Sequence, residues 1–103
     1  MGHRIVVVGG GITGLTAGYR LAIDHPGLDV TVLEASPRPG GHLRTGPLDD
    51  PALDGMGIDA GADAFLVRVP WAVDLCRELG LADELVSPVA RRASLWLDGA
   101  LRP

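Results

Sequence analysis

The chain contains no lysine, asparagine or glutamine, and all nine of its basic side chains are arginine. That bias points to a GC-rich genome rather than to a function. A single cysteine, Cys76, excludes an internal disulfide and fits a reducing compartment. Positive charge is in deficit: the net charge of −4 argues against a nucleic-acid partner, because phosphate binding wants a basic surface. Long apolar runs are missing too. Nothing approaches the ~20 residues of a membrane span. The first apolar run, Ile5–Val8, is interrupted at once by glycines, unlike a signal peptide. The expectation is therefore a cytoplasmic protein. Disorder is excluded as well, since 47% of the residues are hydrophobic. No Ser/His/Asp triad, zinc cluster or P-loop spacing occurs, and no residue stands out as a general acid or base.

What is present is concentrated at the N-terminus. Arg4–Val8 is an apolar, β-branched run that reads as a strand. Gly9, Gly11 and Gly14 spell G-x-G-x-x-G, a helical pattern follows to about Asp24, and Val30–Leu33 reads as a second strand. Glu34 closes the unit, 20 positions after Gly14. A lone G-x-G-x-x-G is weak evidence, but after a strand, opening a helix and followed by an acid it is a strong dinucleotide signal. Each glycine has a physical task. Gly9 lets the chain turn out of the strand, Gly11 lets backbone approach a pyrophosphate, and Gly14 lets the helix pack closely on the sheet. The free N–H groups at that helix start would face the phosphate. Glu34 could accept hydrogen bonds from ribose hydroxyls, and its charge would repel a 2′-phosphate. The bland alternative is a glycine-rich βα turn that binds nothing.

The next segment, Glu34-Ala35-Ser36-Pro37-Arg38-Pro39-Gly40-Gly41-His42-Leu43-Arg44-Thr45, carries an adjacent glycine pair. Two residues without Cβ let backbone approach a ligand or adopt positive φ. Together these two motifs resemble the FAD-binding amine oxidase and protoporphyrinogen oxidase superfamily. The likeness runs through nearly the whole chain. Val6–Gly14 is similar to the start of bacterial porphyrinogen oxidases, and Gly61-Ala62-Asp63-Ala64-Phe65-Leu66 resembles a further segment of them. Leu79-Gly80-Leu81 through Val86-Ser87-Pro88 resembles their Glu-Leu-Gly-Leu to Leu-Val-Pro stretch, and Leu95–Gly99 with Leu101–Pro103 resembles their next hairpin. The Asp63–Leu66 and Leu95–Pro103 segments favour the coproporphyrinogen III oxidase branch. The sequence departs from the family at His42, where Lys or Arg is usual, at Asp59, often Glu, and at Ala64, commonly Ser. The Gly46–Met56 loop is also longer and more acidic.

The resemblance implies an α/β fold: a Rossmann-like FAD/NAD(P)-binding βαβ unit with the start of the cap or remaining FAD domain, truncated. It implies FAD as cofactor, bound through Gly9, Gly10, Gly11, Ile12, Thr13, Gly14, Glu34, Ala35, Arg38, Gly40, Gly41, His42, Gly61, Ala62, Asp63 and Ala64, with no catalytic residue and no metal in this stretch. The implied reaction is oxidation of a porphyrinogen, the small-molecule partner, to a porphyrin with O2 in heme biosynthesis, the flavin carrying the redox chemistry. Another flavin amine oxidase or phytoene desaturase-like enzyme, an inactive fragment, and a small nucleotide-binding module remain alternatives. Nothing indicates an oligomeric state.

The remaining expectations concern organisation. Residues 1–103 are read as the N-terminal part of an FAD-binding domain: a βαβ unit over 4–34, a Gly-Gly loop over 35–45, an acidic loop over 46–63, a helix over 70–79 and an incomplete hairpin over 93–103. The first helix should turn Leu15, Gly18, Leu21 and Ala22 to the sheet, with Gly14 and Gly18 serving close packing. Asp49, Asp50, Asp54, Asp59 and Asp63 match no calcium-loop spacing, and Asp49–Asp54 read as a solvated acidic loop. Pro70 should open the second helix, Trp71, Leu75, Cys76 and Leu79 form its apolar face, and Gly80 stop it. Cys76 is thereby a core residue. Asp98-Gly99 is a hairpin turn signal, and the chain ending inside that hairpin reads as a fragment of a longer flavoenzyme. His3, His25 and the Arg91-Arg92 pair are read as surface residues.

Overall fold

A computed structural model describes residues 2–53, 55–90 and 92–103. Asp54 of the acidic run and Arg91 of the arginine pair therefore lie outside the described residues. The chain divides into two compact units, Met1–Phe65 and Leu66–Pro103.

The first unit is built on strand β1 (Arg4–Val8), helix α1 (Ile12–Asp24) and strand β2 (Asp29–Leu33). The two strands pair in parallel, Arg4 opposite Asp29 through Val8 opposite Leu33. Alternation then sorts the side chains: Ile5, Val7, Val30 and Val32 are half-buried, whereas Val6, Val8, Thr31 and Leu33 are exposed. Arg4 Nε donates to Asp29 Oδ2 at 2.9 Å at the open end of the pair, an exposed ion pair of small stabilising value.

Helix α1 lies close on β2 because a glycine stands at the crossing. A Cβ on Gly18 would come within 2.6 Å of Val32 Cγ2. Gly18 is buried and Leu21 half-buried, but Leu15 and Ala22, expected on the same face, are exposed. One helix over two strands covers a narrow stripe, so only positions directly over β2 are shielded. The helix ends where His25-Pro26-Gly27 removes helix-compatible residues, His25 donating its backbone N–H to the Leu21 carbonyl at 3.1 Å.

Residues 46–63 are not wholly loop. Strand β3 (Thr45–Pro47) pairs antiparallel with strand β4 (Gly57–Asp59), Thr45 opposite Asp59, with a 3-10 turn at Pro51–Leu53 between them. Thr45 Oγ1 donates to Asp59 Oδ1 across the ribbon, so Asp59 is held by the strand pairing.

In the second unit, helix α2 (Trp71–Glu78) follows Pro70, whose carbonyl accepts the Asp74 N–H at 2.8 Å. At its other end Gly80 N–H donates to the Arg77 carbonyl at 3.0 Å and Leu81 N–H to the Cys76 carbonyl at 2.7 Å. That paired closure is the glycine-terminated helix stop the sequence predicts. The expected apolar face is corrected in part: Leu75 and Cys76 are half-buried with Ala72 and Val73, but Trp71 is 76% exposed and Leu79 is exposed. Cys76 is thus shielded without being a core residue. A helix of two turns has few neighbours, and its end residues stay in solvent. Strands β5 (Leu95–Leu97) and β6 (Ala100–Arg102) form the hairpin, its first strand two residues shorter than expected. Asp98 and Gly99 have φ of 51° and 75°, the twist-matched two-residue turn for which Asp-Gly is suited. No described apolar side chain is fully buried in the chain.

Candidate functional site

The candidate site lies in the first unit, where the glycine turn after β1 meets the Gly-Gly loop after β2. Gly9 takes φ +104°, a conformation that opens the turn and that side chains resist. Its N–H donates to the Leu33 carbonyl at 2.7 Å, which ties the turn to the end of β2. Gly11 caps α1, and no side chain caps it in turn. Neither is there an acid in the first helical turn. At this positive helix end the amides of Ile12, Thr13 and Gly14 thus have neither a side-chain cap nor an acid within the first turn.

The three glycines of the motif are required for different reasons. A Cβ on Gly14 would lie 1.8 Å from the Gly9 carbonyl oxygen and 3.5 Å from Val7 Cγ1, so the turn and helix cannot pack without glycine there. A Cβ on Gly11 would meet nothing nearer than Gly41 Cα at 4.0 Å, and Gly11 has an ordinary φ of −76°. The fold itself does not ask for glycine at position 11. Gly10 is buried, and a Cβ there would collide with the Glu34 side chain, 2.9 Å from Oε2 and 3.0 Å from Cβ.

The second glycine pair closes against the first. Gly40 and Gly41 have φ of +112° and +56°, Gly40 pairs with Gly11 in an isolated parallel bridge, and Gly40 N–H donates to the Gly10 carbonyl at 2.7 Å. A Cβ on Gly41 would sit 3.2 Å from Gly11 Cα. Two stretches thirty residues apart thus meet backbone to backbone, with no side chain between them. The cavity beside the loop is lined by Ser36, Pro37, Arg38, Gly41, Leu43, Arg44 and Thr45.

Two charged side chains hold this arrangement. Glu34 Oε2 accepts the Gly10 N–H and Oε1 the Ser36 N–H, both at 2.7 Å. The Ser36 amide foremost, aided by that of Gly10, holds the exposed Glu34 carboxyl below the usual carboxylate range. Arg38 folds back on its own loop: Nη1 donates to the carbonyls of Pro39 and Leu43 at 2.9 and 3.1 Å, and Nη2 to that of Gly41 at 3.0 Å. Ser36 Oγ donates to the Arg38 carbonyl at 2.7 Å.

Of the other expected site residues, Ile12, Thr13, Ala35 and His42 are exposed around this junction. Gly61 is brought to it: a Cβ there would lie 2.4 Å from the His42 carbonyl oxygen, and the neighbouring Ala60 N–H donates to the Arg44 carbonyl at 2.8 Å. Ala62, Asp63 and Ala64 run on as an exposed irregular segment. Ser36, Thr45 and Asp59 are participants that the sequence does not assign to the site. A serine two residues after an acid at a strand end is a turn-forming signal that could have found the first. Among the described residues no three His, Cys, Asp or Glu side chains gather as metal ligands, and no helix is long and apolar enough to cross a membrane.

Comparison with known proteins places relatives beside this geometry. The family model described as flavin containing amine oxidoreductase matches residues 12–102. The chain is 31% identical to coproporphyrinogen III oxidase of Staphylococcus aureus over its whole length, covering 21% of that protein. It is 40% identical to coproporphyrinogen III oxidase of Propionibacterium freudenreichii over 97% of this chain and 18% of that one. To the chloroplastic protoporphyrinogen oxidase of Oryza sativa subsp. japonica it is 41% identical, over 95% of this chain and 18% of the relative. A crystal structure from Exiguobacterium sp. 255-15, provisionally described as a protoporphyrinogen oxidase, superposes with a TM-score of 0.70 at 38% identity. That match covers 81% of this chain and 17% of the solved one. The chain spans about a fifth of the length of these relatives.

Proposed function

The chain belongs to the flavin containing amine oxidoreductase family, and from that premise we propose that it forms the N-terminal, Rossmann-like part of the FAD-binding domain of a porphyrinogen oxidase. The single observation that carries this reading is the junction of Gly11 with Gly40 and Gly41. Position 11 has room for a Cβ within the fold and yet is glycine, beside a glycine pair in the facing loop. A bound group that must touch backbone accounts for that; packing does not. FAD fits the donor set. The amides of Ile12, Thr13 and Gly14 and the helix dipole suit a pyrophosphate, and the remaining lone pairs of Glu34 suit ribose hydroxyls. Gly9, Gly10, Gly40, Gly41, Ala35 and Arg38 would shape the walls of the cleft. His42, with Gly61 to Ala64, would border the more distant part of the cofactor. Histidine in place of the family's usual fixed cation leaves less positive charge there.

Bound in this cleft, the flavin would accept the electrons taken from the substrate and pass them to O2. On this reading the chain's own residues bind and orient the cofactor, and none of them is assigned an acid or base role. The names of the relatives favour coproporphyrinogen III as substrate over protoporphyrinogen IX, and a soluble cytoplasmic enzyme of heme biosynthesis is the setting that fits such a reaction. A chimera tests this. Residues 1–103 replace the aligned segment of the Propionibacterium relative, and the purified protein is assayed for bound FAD and for O2-dependent oxidation of coproporphyrinogen III. Flavin retention with porphyrin formation is the expected result. A folded chimera that holds no flavin contradicts the cofactor reading, and one that holds flavin but oxidises only amines contradicts the substrate reading.

A further inference from the structure

We propose that Glu34 and Arg38 are positioning residues that build the glycine junction before any cofactor binds, acting first on the chain's own backbone. The proposal rests on the flavin reading above for what the junction is for, but not for how it is held. A carboxylate offers only acceptors and a guanidinium only donors. Glu34 gathers N–H groups, those of Gly10 and Ser36 at 2.7 Å each. Arg38 gathers carbonyls, those of Pro39, Gly41 and Leu43 at 2.9 to 3.1 Å. The two sets are joined. Gly10, held by its N–H, receives on its carbonyl the N–H of Gly40 at 2.7 Å. That N–H belongs to the same planar peptide unit as the Pro39 carbonyl that Arg38 holds, and the trans peptide points the two groups in opposite directions. A continuous path therefore runs from the carboxylate through Gly10 and the 39–40 peptide to the guanidinium, crossing from the first glycine motif to the second.

The geometry depends on both residue types. Glutamine at position 34 keeps one acceptor oxygen and replaces the other with a donor that faces an N–H, so one of the two ties is lost. Lysine at position 38 lacks the planar fork that reaches three carbonyls at once. Among the described residues, the groups around the Glu34 carboxylate are the Gly10, Ala35 and Ser36 backbone and the Ser36 hydroxyl, with no charged side chain among the influences on it. The Arg38 guanidinium, the nearest charge in sequence, is turned to its carbonyls. Ionisation of Glu34 alone therefore governs the tie.

The test uses the apo form of the chimera described above, labelled with nitrogen-15. The Gly10 and Ser36 amide resonances are expected to shift together along one titration curve, with a midpoint below the usual carboxylate range, and both shifts vanish in Glu34→Gln. FAD and inorganic pyrophosphate are then titrated separately. Pyrophosphate has no ribose, so a Glu34 that only touched ribose would leave its affinity unchanged. Glu34→Gln and Arg38→Ala are each expected to weaken both ligands by about fivefold or more, with Arg38→Lys failing to restore them. Amides of Gly10 and Ser36 that titrate independently, or stay at random-coil positions, overturn the proposal. So does a Glu34→Gln chimera that loses FAD affinity but keeps pyrophosphate affinity. A coupled titration in a chimera that binds neither ligand sinks the flavin reading and leaves the positioning roles standing.

Discussion

At the scale of single residues, the glycines of one motif separate into those the fold needs and one it does not. Gly14 is locked by the Gly9 carbonyl, so Gly14→Ala forces turn and helix apart. In the chimera it should cost about 2 kcal/mol or more of apoprotein stability, as an overpacked position does. Denaturant unfolding of the apoprotein measures it. Gly11→Ala, by contrast, should change the apoprotein by no more than about 1 kcal/mol, since its Cβ meets nothing nearer than 4.0 Å. Glu34 adds a dependence on pH. Its folded-state carboxyl titrates below its ordinary value, so its contribution is complete above the unfolded-state value and is lost as pH falls through the folded one. The stability of the wild-type chimera apoprotein should therefore fall more steeply than that of Glu34→Gln as the pH drops below about 4.5. Parallel slopes would show that the carboxylate's ties to Gly10 and Ser36 do not form in solution. The turn was legible in the sequence because glycine spacing, strand and acid reinforce one another. Glu34 was legible as a ribose acceptor and Arg38 as a charge near the motif, but their ties to the chain's own backbone were not. Their partners are backbone groups, which every residue possesses and no pattern marks.

At the scale of elements, the parallel pair and its helix were readable from β-branched runs and from a helical stretch bounded by Gly11 and His25-Pro26. Strand β2 differs from expectation by one residue at Asp29. The β3–β4 ribbon was not readable. Each strand has three residues, with Gly46, Pro47 and Gly57 among them, and such segments carry neither period-2 alternation nor β propensity. What forms them is pairing, including the Thr45–Asp59 bond. The ribbon delivers Gly61 to the His42 carbonyl, so Gly61→Ala should separate that segment from the Gly-Gly loop. FAD affinity of the chimera is expected to drop about tenfold, and unchanged affinity would mean that Gly61 to Ala64 lie outside the cofactor's reach. Between α1 and β2, Gly18→Ala brings a methyl group against Val32 and should destabilise by about 1–3 kcal/mol. Val32→Ala removes the opposing methyl groups and should recover part of that loss in a double-mutant cycle. Additive losses would place the helix elsewhere on the sheet.

At the scale of the whole molecule, the chain exposes what such a sheet ordinarily covers. A parallel sheet is usually shielded on both faces, yet Val6, Val8 and Leu33 on the face away from α1 are exposed, Val8 at 83%. No described apolar side chain is fully buried, so the hydrophobic term that offsets chain entropy is small. The isolated 103 residues should accordingly melt over a broad range, followed by circular dichroism, and bind FAD more weakly than the chimera by about a hundredfold or more. A sharp cooperative melt with micromolar FAD affinity would instead describe a self-sufficient nucleotide-binding module.

On the proposed reading, Gly11 is glycine for a bound flavin rather than for the fold. The decisive measurement is the flavin absorbance of the purified Gly11→Ala chimera, taken with the melting temperature of its apoprotein. A colourless protein is expected, its apo form melting within a few degrees of the unsubstituted apo chimera, as a change of about 1 kcal/mol allows. A yellow protein with a full complement of FAD would contradict it.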